Sequence, residues 1–98
     1  MARKEGRFAY KVPGGKLLRV CVQFDSHIRS LRVSGDFFLH PEDAISLIED
    51  SIVGLRVREP QAVLRDRFES IIAKNGVVLV GVSADAFAYA VKKATGGG

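Results

Sequence analysis

Between Lys16 and Phe24 the apolar residues fall on every second position: Leu18, Val20, Val22 and Phe24 share one register, and Arg19, Cys21 and Gln23 share the other. A strand turns successive side chains to opposite faces, so this spacing describes a β-strand with one side on a core and the other in water. Asp25-Ser26-His27 supplies the polar residues of a hairpin loop, and Ile28 to Ser34 returns with Leu31 and Val33 inward and Arg32 outward. Upstream, residues 7 to 12 place Phe8, Tyr10 and Val12 in the inward register, and Pro13-Gly14-Gly15 ends them in a turn. The expectation is an antiparallel meander of three strands whose outward face carries Lys11, Arg19, Gln23, Ser30 and Arg32.

The period changes after Gly35-Asp36-Phe37-Phe38-Leu39-His40. Pro41 suits the first position of a helix, and Glu42 and Asp43 suit its positive end. Ile45, Ile48 and Ile52, with Ala44 and Leu47 beside them, form an apolar stripe that Gly54 ends. A second helix starts near Pro60, carries Val63, Leu64, Phe68, Ile71 and Ile72 on one stripe, and stops at Asn75-Gly76. Val77 to Val82 is a continuous apolar run of strand length, which predicts a strand covered on both sides or central in the sheet. Ser83 can cap a last helix in which Ala84, Phe87, Ala88 and Val91 share a face and Lys92 and Lys93 occupy the final turn. The fold class is α+β in the order β-β-β-α-α-β-α: a three-stranded meander plus a late fourth strand, with helices packed on one face. Residues 1–95 form a single domain and 96–98 a flexible glycine tail.

A chain of 98 residues has room for one hydrophobic core and not for two. No apolar run reaches the roughly 20 residues of a membrane span, and the N-terminus carries no apolar signal core, so the expected location is the cytoplasm. The single cysteine, Cys21, excludes an internal disulfide and fits a reducing compartment. Charge is uneven: residues 1–32 hold eight Lys and Arg against Glu5 and Asp25, whereas the remainder is slightly acidic. That asymmetry predicts a basic surface on the N-terminal part, suited to nucleic acid, a phosphate-bearing ligand or an acidic protein.

The residues that could do chemistry are few. Cys21 lies in mid-strand, where Arg19 and Arg32 are cations close enough in the pattern to act on a thiol, and His27 and His40 fall in a hairpin loop and at a helix start. His27, His40 and the acidic residues lack the spacing of zinc or calcium sites. Neither GxxxxGK[ST] nor GxGxxG is present, and Pro13-Gly14-Gly15 precedes a strand where a phosphate loop precedes a helix. A nucleic-acid module is the main competing class, because Lys11, Arg19 and Arg32 on an open sheet could follow a phosphate backbone. Against it, Phe8, Tyr10 and Phe24 occupy the inward register, where they cannot stack on bases.

One stretch carries a resemblance: Lys11-Val12-Pro13-Gly14-Gly15-Lys16-Leu17-Leu18-Arg19-Val20, the Asp25-Ser26-His27-Ile28 hairpin, then Leu31-Arg32-Val33-Ser34-Gly35-Asp36-Phe37-Phe38. It resembles the accessory domain of lipoate-protein ligases, in the form that stands alone as a small subunit, and the likeness extends over nearly the whole chain. The resemblance implies a non-catalytic subunit required, with a large catalytic subunit, for ATP-dependent activation of lipoate to lipoyl-AMP before transfer to lipoyl carrier domains. ATP, Mg and lipoate would then act at the partner's active site, and no catalytic, cofactor or metal residue is placed on this chain. It further implies Gly35, Asp36, Phe37 and Phe38 as the partner interface or its support, with Arg19, Arg32 and Lys11 as second candidates. A sulfur-transfer scaffold using Cys21 is the remaining alternative.

Overall fold

The computed structural model describes residues 2–96. Strands β1 (Lys4–Lys11), β2 (Leu17–Phe24) and β3 (Ile28–Gly35) form an antiparallel sheet in the order β1-β2-β3. The register pairs Phe8 with Val20 and Val20 with Val33, so the inward residues of the three strands stack as one apolar row. Leu18, Val20, Val22, Ile28, Leu31 and Val33 are buried, and Phe8, Tyr10 and Phe24 pack half-buried at the margin of the core. Fully burying side chains of this kind is worth about 1.5–3 kcal/mol each, which fixes the register, since a one-residue slip would turn the whole row to water.

The helices cover that face. After β3 come β4 (Phe38–His40), a 3₁₀ turn (Glu42–Ala44), α1 (Ile45–Asp50), α2 (Gln61–Lys74), β5 (Val78–Val80) and α3 (Ala84–Ala94). Helix α3 lies across β1 and β2, α1 lies against β3, and α2 packs on α3. Phe87 of α3 is fully buried, with Phe37 and Phe68 set edge-on to it at ring-centroid distances of 5.9 and 5.6 Å. Ser83 caps α3 as its sequence position predicts, accepting from the Ala86 N–H at 3.1 Å. Lys92 has a second role that its place in the last turn does not reveal. Its ammonium donates to the carbonyls of Val57 and Glu59 at 3.0 and 2.9 Å and ties the loop before α2 to α3.

The expected class, order and helix placement all hold, with one short strand added. The environment expected for Val77 to Val82 does not. β5 stands outside the meander and pairs antiparallel with β4 in a separate two-stranded ribbon, Phe38 opposite Val80, Leu39 opposite Leu79 and His40 opposite Val78. Only Val77 in this stretch is buried, while Val78 and Val80 are 56% and 54% exposed. The physical reason is the partner: a ribbon of two three-residue strands can lay one face on the core, here Leu39 and Leu79, and nothing else among the described residues covers the other. A continuous apolar run therefore marks a surface here and not a central strand. The expected glycine tail falls partly on residues 97 and 98, which lie outside the described residues; Gly96 forms a turn after α3, its N–H donating to Lys93 at 3.2 Å.

Candidate docking surface

Two surfaces adjoin along β3. The first is the ribbon. Alternation places Phe38, His40, Val78 and Val80 on its outer face, and Phe38 is 72% exposed, the most exposed large apolar side chain among the described residues. Beside it lies an open hollow of about 390 Å³, bounded by Gly35, Phe37, Phe38, Leu39 and Ile45 among others.

The Gly35-Asp36-Phe37-Phe38 segment builds this edge. Gly35 has φ +151°, and a Cβ there would overlap the carbonyl oxygen of Leu17, so the strand can leave the sheet only at a glycine. The Asp36 N–H donates to that same carbonyl at 3.0 Å, anchoring the exit to β2. The next two side chains then diverge: Phe37 turns inward against Phe87, and Phe38 turns outward. One phenylalanine supports the surface and the other presents it.

The second surface is the outer face of the meander, where Arg7, Arg19, Cys21, Arg32 and Ser34 line a shallow groove of about 560 Å³ with Glu49 at its margin. Cys21 sits between Arg7 and Arg32 in one cross-strand row, and Arg19 lies between Ala9 and Ser34 in the next. Arg19 and Arg32 are thus brought together, and Lys11 shares their face but is set at the end of β1, its ammonium donating to the Gly15 carbonyl at 2.8 Å. Arg7 was not singled out in the sequence as a site residue; its position two residues from Ala9 in the outward register was the available clue. Glu5 holds its guanidinium at 2.9 Å, and in return Arg7 draws the Glu5 carboxyl below the usual range.

Among the described residues no catalytic constellation accompanies these surfaces. Ser26 Oγ lies 3.0 Å from His27 Nδ1, but the neighbouring Asp25 carboxylate accepts from the backbone N–H of His27 and from Arg29, so it does not orient the imidazole. Those two donors hold the Asp25 carboxyl below its ordinary range, the backbone N–H being the larger cause. They make it the latch of the hairpin. Among the described residues no three His, Cys, Asp or Glu side chains gather as a metal site, and no helix is long and apolar enough to cross a membrane.

The geometry defines a small α+β module that offers an apolar ridge and a basic groove to another macromolecule. No protein-family model matches the chain. Lipoate-protein ligase A subunit 2 of Thermoplasma acidophilum is 32% identical over 77 residues, which span 78% of this chain and 77% of that protein. A solved chain from the bi-partite lipoate protein ligase of Thermoplasma acidophilum, described with its E2 lipoyl domain, superposes with a TM-score of 0.63 at 28% identity, covering 92% of this chain and 94% of the other. The chain belongs to the family of lipoate-protein ligase A subunit 2.

Proposed function

We propose that this chain is the non-catalytic accessory subunit of a bipartite lipoate-protein ligase. The reading rests on family membership, and the observation that carries it is the ribbon's outer face, where Phe38, Val78 and Val80 share one side and stand exposed to water. Apolar side chains at directly opposed and diagonal positions of a ribbon form a continuous patch, and an exposed patch of this kind marks a docking surface.

In this account the ribbon seats against the large catalytic subunit, Phe38 making the contact while Gly35, Asp36 and Phe37 hold it in place. The large subunit joins the lipoate carboxylate to the α-phosphate of ATP with loss of pyrophosphate. A carrier lysine then takes the lipoyl group and AMP leaves. ATP, Mg and lipoate act at the large subunit in the cytoplasm, and the accessory subunit acts as a lid there, excluding water from the adenylate.

The test is reconstitution. The chain alone should release no pyrophosphate from ATP and lipoate, and mixing it with the large subunit should raise lipoate-dependent release at least tenfold, saturating near equimolar ratio. Turnover by this chain in isolation, or a large subunit indifferent to it, would contradict the proposal.

A further inference from the structure

The ribbon's three exposed apolar side chains fall short of the roughly 800 Å² that each partner contributes to a specific, stable interface. The surface must extend, and β3 sets the direction. Val33 and Ser34 bound both the hollow beside Phe38 and the groove on the sheet's outer face, so the two are continuous around the end of that strand.

What the groove offers is uncompensated positive charge. Arg7, Arg29 and Arg65 each meet a carboxylate within 3.3 Å, whereas Arg19 and Arg32 form no ion pair among the described residues. The one carboxylate at the groove margin, Glu49, accepts from the Val33 N–H through Oε2 at 2.8 Å and pairs with neither arginine. Arg19 faces Ser34 across the β2–β3 pair and Arg32 is two residues back along β3, a diagonal that sets the two residues about 7–8 Å apart. Two guanidiniums at that spacing can each grip a carboxylate of a single acidic segment. A nucleic acid fits worse, since the sheet's aromatics Phe8, Tyr10 and Phe24 pack toward the core and leave nothing on this face for a base to stack on.

We propose that Arg19 and Arg32 receive carboxylates of the catalytic subunit itself, so that one interface runs from the apolar ribbon around β3 onto the sheet, apolar at its centre and charged at its rim. This deepens the accessory-subunit reading and rests on it. Rim charges chiefly set the encounter rate and its salt dependence.

The measurement is the association rate of this chain with the large subunit over a range of salt concentrations, using the double variant Arg19→Gln/Arg32→Gln. Association at low salt should slow about tenfold and its salt dependence should flatten. Arg19→Lys/Arg32→Lys should recover most of the rate, and Arg65→Gln on α2 should leave it unchanged. An unaltered rate and salt slope in the double Gln variant, with Phe38→Asp still breaking the complex, overturns the inference and leaves the docking reading standing. So does a double variant whose assembly is normal but whose KM for the carrier domain rises, because the groove would then serve the carrier. If neither the Arg variants nor Phe38→Asp affect assembly, the docking reading fails as well.

Discussion

A chain carrying Phe38→Asp is expected to fold normally and to lose at least a hundredfold in affinity for the catalytic subunit. Phe38 is 72% exposed and gives the isolated fold almost no burial, so an aspartate there removes little that holds the domain together. In the complex the same side chain would sit at the centre of the patch, flanked by Val80 directly across the ribbon, and central aromatic anchors typically cost 2–4 kcal/mol when truncated. Burying a carboxylate against an apolar partner adds its desolvation. A loss of about 2.7 kcal/mol already corresponds to a hundredfold. The variant separates docking from folding: thermal denaturation should place its midpoint near the parent's, while titration calorimetry with the catalytic subunit should show binding lost. An affinity within threefold of the parent would remove Phe38 from the interface.

The opposite separation is expected at Phe87. Phe87→Ala should destabilise the domain by about 3–5 kcal/mol, because it empties the site on which Phe37 and Phe68 both close edge-on. A domain of this size has only about 5–15 kcal/mol in total, so much of the population should unfold. Phe37 would lose its backing, and with it the segment that carries Phe38, so assembly should fail together with folding. Phe87→Leu, which keeps most of the volume, should restore more than half of the loss. Denaturant unfolding of the three proteins checks this, and an alanine variant within 1 kcal/mol of the parent would mean that the aromatic cluster is not the centre of the core.

The strand alternation from Phe8 to Val33 made the meander legible, because a half-buried antiparallel sheet writes its two faces into alternate residues. The helix stripes ending in Ile72 and Val91 were legible for the equivalent reason at a period of 3.6. Val77 to Val82 was not, since an uninterrupted apolar run looks the same whether it is covered by its own chain or awaits a partner. The β4–β5 pairing could not be read either: it joins Phe38–His40 to residues about forty positions away through three-residue strands with too few side chains for a period. Among the candidate interface residues, the sequence grouped Phe37 with Phe38, and only the backbone turn after Gly35 separates a core side chain from a surface one. The alternation places Lys11, Arg19 and Arg32 on one face, as the register has them; that Lys11 bends onto Gly15 and Arg7 joins the groove depends on tertiary detail.

The most direct test is site-specific photo-cross-linking in the assembled enzyme, with benzoylphenylalanine in place of Phe38 in one preparation and of Arg67, on the exposed side of α2, in another. The account predicts that light converts the Phe38 preparation to an adduct of the summed subunit masses and leaves the Arg67 preparation unlinked. Adducts forming from position 67 and none from position 38 would place the catalytic subunit on the wrong side of the molecule for everything argued from the ribbon.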